Sequence, residues 1–309
     1  MAMGAGTAEV EAFFKKIRQG NVFTLADANP TVSLLFPTGT AQVAVVSQTC
    51  DAVLPKRPTI ILAPVVTLSG DLAHQAAHRA VPQYIPVPSL GENEFVDLAH
   101  IHAVNKELLA GCAVSDGIDN TDDEAVRAFA LAAGRWFSRF AFPDEVVPWL
   151  NPLLTTIRQK YTRPNSPLGK VLHDVVEFRV EAEKWSARPL DLTLHVIVRA
   201  GSMPTVPPDE IDNDVKAAAY NNGVLRTPEE IANLLIAAKT NRARATLWLF
   251  FADSLALQCH PRPQDATEDI RAAVSAVTAE IWSDDEFPLS RIRKSELLDV
   301  EYLSEGYPV

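Results

Sequence analysis

Ser47-Gln48-Thr49-Cys50-Asp51 is the densest run of chemically capable side chains in this 309-residue sequence. A cysteine becomes a nucleophile when a base takes its proton or its surroundings lower its pKa. Asp51 follows Cys50 directly, and His74, His78, His100 and His102 follow further on. Cys50, Asp51 and His74 therefore form the candidate catalytic set. Ser47, Gln48 and Thr49 are the candidate binding set, as donors to an oxyanion or a phosphate. The run has a second reading, in which Cys50 is a small hydrophobe at a strand end and Asp51 closes an Asx turn. On the sequence alone both stay open.

Other chemistries find less support. Asp71, His74 and His78 share a helical face, with the two histidines at i and i+4, a spacing compatible with zinc. Gln75 stands where a metalloprotease HExxH motif needs Glu, so no metal site is assigned. His100-Ile101-His102 alternates as a strand would. Residues 116–123 are acidic but lack the glutamate that completes an EF-hand loop. Asp214-Val215-Lys216 matches a restriction-nuclease triplet but sits in a charged helical stretch, and Glu181-Ala182-Glu183-Lys184 has the wrong spacing. There is no GxSxG, Walker A or GxGxxG run and no zinc-deaminase or kinase signature, so no cofactor is assigned.

The elements that must hold Cys50 are read from the hydrophobic pattern. Thr7 opens a helix with Val10, Phe13, Phe14 and Ile17 on one face, ending at Gly20. Four β-branched runs follow at 21–25, 31–36, 42–48 and 59–67, separated by Pro30, Pro37, Gly39, Pro55 and Pro58. They predict a small curved antiparallel sheet or barrel. A short helix is expected over 71–80, and a further strand over 94–98. From about residue 104 the pattern turns helical. A capping box at Thr121–Glu124 opens a helix carrying Phe129, Ala133, Trp136, Phe137 and Phe140, and a second box at Thr227–Glu230 opens another. Strands are expected at 175–182 and 192–199, a buried segment at 247–259 and an amphipathic helix over 265–282.

The segments Gly20-Asn21-Val22-Phe23, Val43–Asp51 and Ile61–Val65 resemble uncharacterised bacterial proteins that carry a Ser-Gln-Thr-Cys-Asp run. More loosely, residues 18–68 resemble the start of the PemK-type toxin barrel, a family of small endoribonucleases that act on mRNA. Asn21 stands where that family has Asp, and Gln42-Val43 where it has Arg-Pro. The resemblance thus implies an SH3-like barrel more than it implies RNA cleavage.

Composition sets the outer limits. The net charge is −11, from 28 basic and 39 acidic residues, which opposes a general electrostatic grip on nucleic acid. Cys50, Cys112 and Cys259 are few and far apart, as in a reducing cytosol, and no CxxC pair is present. No signal peptide is legible, and the most apolar stretch, 247–259, is short and carries Asp253, so no membrane span is expected. The expected fold is α+β: an N-terminal SH3-like antiparallel barrel over 1–110, then a mainly helical domain with a two-strand insertion over 111–309. The expected function is that of a cytoplasmic binding or sensing subunit with protein partners in a bacterial multi-protein system, such as an anti-phage defence or mobile-element locus. The alternative is a toxin-like enzyme centred on Cys50 and Asp51, acting on RNA or a nucleotide.

Overall fold

The computed structural model describes residues 7–77, 81–205 and 212–299. His78 and part of the loop following Gly201 lie outside them. The fold is α+β, and the chain divides into two compact units, one up to Arg139 and one from Phe140.

The first unit begins with α1 (Thr7–Phe14), β1 (Asn21–Thr24) and α2 (Pro30–Ser33). Next come β2 (Gln42–Val45), α3 (Thr49–Val53), β3 (Thr59–Thr67) and α4 (Gly70–Ala77). Four short strands follow, β4 (Tyr84–Pro86), β5 (Glu94–Asp97), β6 (His102–Asn105) and β7 (Val114–Asp116), and then α5 (Asp123–Ser138). The strands form a curled antiparallel half-barrel in the order β4-β5-β3-β2-β1-β7, with β6 also paired to β3. The long strand β3 explains the curl. Thr59–Leu62 pair with β6 and Val65–Thr67 pair with β5 on the same flank, while β2 holds the other. Pro64 falls where the partner changes, a point at which a missing N–H breaks no ladder bond.

Both faces of this sheet are apolar, following the two-residue alternation of strands. Phe23, Val43, Val45, Ile60 and Leu62 face α1 through Phe14. Val22, Ala44, Ala63 and Val96 face the other way, toward Phe129 and Ala133 of α5. At the sheet's margin Gly20 adopts φ +83°, and an added Cβ would lie 2.6 Å from Cγ1 of Ile118. Gly20→Ala is expected to cost about 1.5 kcal/mol, from left-handed strain and displacement of Ile118, read as a lower Tm.

The second unit contains α6 (Val147–Tyr161), α7 (Pro167–Leu172), β8 (Val175–Ala182), β9 (Leu190–Val198), α8 (Asn213–Ala219) and the small hairpin β10 (Tyr220–Asn221) and β11 (Val224–Leu225). It continues through α9 (Pro228–Ala237), α10 (Asn241–Ala256), α11 (Glu268–Ala273), β12 (Val274–Ser283), α12 (Leu289–Ile292) and β13 (Ser295–Leu297). Its sheet has the order β12-β9-β8-β13, with β12 parallel to β9 and the other pairs antiparallel. One face buries Phe178, Val180, Leu194 and Val196 against the helices, where Trp248 and Phe251 of α10 fill the core. The expected two-strand insertion is thus the middle of a four-stranded mixed sheet.

Three local differences from the sequence reading have physical causes. Residues 31–36 were expected as a strand, but Asn29 caps Thr31 N and Pro30 occupies the first helical position, so α2 forms and Leu34 is left 83% exposed. The helix expected over 265–282 stops at Ala273. From Val274 the chain is strand, because Val274, Val277, Thr278, Ile281 and Trp282 favour a pleated surface. At α5 the cap is Asp122, which accepts from Glu124 N, while Thr121 donates to Asp119 instead.

Candidate functional site

Residues 47–51 turn the corner from β2 into α3, and most of their polar groups are bound within the chain. Ser47 Oγ accepts from Ile61 N at 2.8 Å, and Thr49 Oγ1 accepts from Gln19 N at 3.1 Å. The Gln19 amide in turn donates to Val46 O at 2.9 Å. Beneath the corner lies Lys106, a buried lysine whose Nζ donates to Asp51 O at 3.1 Å and Leu54 O at 3.0 Å. The same ammonium sits 5.3 Å from the centroid of the Phe14 ring. Burial lowers its pKa, with Asp51 opposing that shift.

Cys50 itself is exposed. Its thiol donates to Gln48 Oε1 at 3.6 Å, and the Asp51 carboxylate pairs with Arg57 at 3.5 Å. His74 lies on α4, a helix whose Ala73 and Ala76 pack against Phe95. Among the described residues no contact joins His74 to Cys50. The structure therefore gathers Ser47, Gln48, Thr49, Cys50 and Asp51 at one corner and leaves His74 on another element. His100 and His102 are also apart. His100 Nδ1 meets Asp97 Oδ2 at 2.8 Å, and the His102 ring packs edge-on against Phe36. The other two thiols are buried. Burial, with help from Asp27, pushes Cys112 up, and burial alone pushes Cys259 up to about 12, so both are poor nucleophiles at neutral pH.

The second unit holds a constellation that sequence reasoning missed. On the sheet face opposite the core that α10 fills, His195 of β9 lies between Glu181 of β8 and Glu280 of β12, opposite Glu280 in the strand register. Its ring is completely buried. Nε2 lies 3.0 Å from Glu181 Oε2, and Nδ1 lies 3.4 Å from Glu280 Oε2. Arg291 of α12 spans both carboxylates, at 2.9 Å to Glu181 and 3.5 Å to Glu280. The Phe287 ring closes over the imidazole at 5.3 Å between centroids.

Burial lowers the His195 pKa, and the carboxylates only partly offset it. For Glu181, burial acts upward but is outweighed by the hydrogen bonds and charges of Arg291 and His195, leaving it lowered. A neutral imidazole carries one proton, so it can donate to only one of the two carboxylates. Nδ1 of His195 and Oε2 of Glu280 are accordingly buried without a hydrogen-bond partner. The legible signal for this site was a histidine on the polar phase of an otherwise apolar strand, 190–198, beside a strand alternating Arg179 and Glu181 on that phase.

Beside this network is a cleft of about 500 Å³, lined by Lys216, Tyr220, Leu249, Phe250, Asp253 and β12 residues that include Glu280 and Trp282. Glu280 thus belongs to both the cleft and the buried network. Among the described residues, no group of three or more His, Cys, Asp or Glu side chains is placed to hold a metal ion, and no helix is long and apolar enough to cross a membrane. Comparison with known proteins gives no match to a family model, to a curated protein or to a solved structure.

Proposed function

We propose that this protein is a cytoplasmic binding or sensing subunit of a bacterial multi-protein system, of the kind found in anti-phage defence or mobile-element loci, with its half-barrel unit acting as an SH3-like module. The observation that carries this reading is the state of Cys50. Its thiol is exposed, its hydrogen bond goes to Gln48, and the adjoining carboxylate is paired with Arg57. Nucleophilic catalysis needs a base within hydrogen-bond reach and donors free to face the substrate. Ser47 and Thr49 instead accept hydrogen bonds from the main chain and hold the corner together. The acidic balance of the chain also favours protein over nucleic acid as partner.

The test is expression of the wild type and Cys50→Ala, together with native mass spectrometry of the chain purified gently from its own host. Cys50→Ala is expected to change stability by no more than about 0.5 kcal/mol, as for other exposed positions, and to leave growth of the expressing cells unchanged. The wild type is expected to carry a stoichiometric protein partner. Growth arrest by the wild type that Cys50→Ala relieves would overturn the proposal in favour of a toxin-like enzyme, and so would a bare monomer.

A further inference from the structure

The cleft in the second unit lies along the outer edge of β12. Four consecutive residues of that strand, Ala279 to Trp282, line it. Side chains of a strand alternate between faces, so a cavity touching four in succession follows the edge rather than one face. β12 is the terminal strand of its sheet and pairs with β9 alone. Among the described residues, the outward main-chain groups of Ala279 and Ile281 have no main-chain partner, while Ser283 O at the strand's end accepts from Glu286 N and Phe287 N. An open edge of this kind is a template for another extended chain.

The side chains around it are also incompletely satisfied. The Asp253 carboxylate has no ion-pair or hydrogen-bond partner among the described residues. It opens to solvent in the cleft but is walled on its other sides, and that desolvation raises its pKa. The unmet demand in the cleft is thus for a cation at Asp253. Leu249, Phe250 and Tyr220 supply the apolar wall.

We infer that the outer edge of β12 docks an extended segment of a partner protein, which adds as a further strand and presents a lysine or arginine to Asp253. The occupant is a polypeptide because the open edge offers alternating main-chain donors and acceptors, and only another main chain matches that spacing. It is basic because Asp253 has no cation of its own among the described residues, whereas Glu280 is already paired with Arg291. A second copy of this chain would bring the same carboxylates to the same edge, and the chain as a whole carries −11. Four residues at about 3.3 Å each give roughly 13 Å of edge, enough for a short strand. This inference rests on the binding-subunit reading and specifies its partner.

The experiment is selection of random ten-residue peptides on phage against the full chain, followed by synthesis of the enriched sequence. The selected peptide is expected to alternate β-branched or aromatic with polar residues and to include a lysine or arginine. It should protect β12 amides from hydrogen exchange. Asp253→Lys should weaken it about tenfold, and changing the peptide's basic residue to glutamate should restore affinity for that variant. Main-chain N-methylation at alternate residues should abolish binding in one phase and be tolerated in the other. No enrichment, protection elsewhere, indifference to Asp253→Lys or to N-methylation, or a self-associated chain with β12 protected would overturn the docking site. A native complex that leaves β12 unprotected overturns this site alone, whereas a bare monomer from the host overturns the reading beneath it.

Discussion

Acidification from about pH 7.5 to about pH 5 is expected to lower the unfolding free energy by up to about 2 kcal/mol through His195 alone. Burial holds the folded-state pKa of this imidazole below its ordinary value of 6.5. Above 6.5 both the folded and unfolded chains keep it neutral, so it gives no slope. Below 6.5 the unfolded chain binds a proton that the folded chain refuses, and stability falls with pH. The limit is one proton, or about 1.4 kcal/mol per pH unit. Glu181 adds a second decline further down. Its folded pKa lies below 4.5, so its contribution is complete above that value and is lost as pH falls through the folded pKa.

The groups facing His195 are Glu181 on β8, Glu280 on β12 and Arg291 on α12, with the Phe287 ring over it. His195→Gln removes the titrating ring and keeps an amide in its place. Thermal melts of this variant should lose the decline that begins near pH 6.5 and keep the one below 4.5. A parent-like slope in the variant would show that the imidazole is not the group responsible. Arg291→Met should cost about 2 kcal/mol at neutral pH, because two carboxylates lose their shared cation. The value is set below the 3–5 kcal/mol of a fully buried pair because Arg291 is partly exposed to solvent.

Much of the architecture was legible where local chemistry and tertiary demand agree. The strand at 175–182 alternates, the mostly apolar run expected at 192–199 is the strand at 190–198, and the capping box at Thr227–Glu230 forms as its spacing requires. The curved antiparallel sheet was expected from short β-branched runs broken by proline and glycine, although its curl comes from the long strand β3 changing partners. The sequence misled where two local signals compete. Residues 31–36 look like a strand by side-chain type, yet Asn29-Pro30 forces a helical turn. The segment from Val274 has apolar residues that fit both periods, and pairing with β9 decides for strand. Glu181, His195, Glu280 and Arg291 span more than a hundred residues and meet only through sheet register and a covering helix. The histidine on the polar phase of β9 is legible locally, but its association with the other three is a tertiary fact. Lys106 was invisible for the same reason, since an isolated lysine carries no sign that it will be buried beneath a corner fifty residues earlier.

That lysine carries the largest expected single-residue effect in the first unit. Lys106→Met keeps most of the aliphatic stem but removes the ammonium and its contact with the Phe14 ring. The carbonyls of Asp51 and Leu54, which close α3, then lose their charged donor. Hydrogen bonds from a charged group contribute about 1.5–3 kcal/mol each, and part of that is returned because a buried cation no longer has to be desolvated. A net loss of about 3 kcal/mol follows, measurable as a lower denaturation midpoint with unchanged m. The loss should be local first. Asp51 N and Ala52 N both donate to Gln48 O within α3, and their amides should exchange faster in the variant than those of Val43 and Val45 in the adjoining strand. If the midpoint falls while the α3 amides keep their protection, Lys106 stabilises the unit through Phe14 rather than through the corner. The Ser-Gln-Thr-Cys-Asp run would then owe its shape to Gln19, Ser47 and Thr49 alone. Faster α3 exchange would instead establish that Cys50 stands where it does because a buried ammonium closes the helix that carries it, a structural role that accounts for the run without any catalysis.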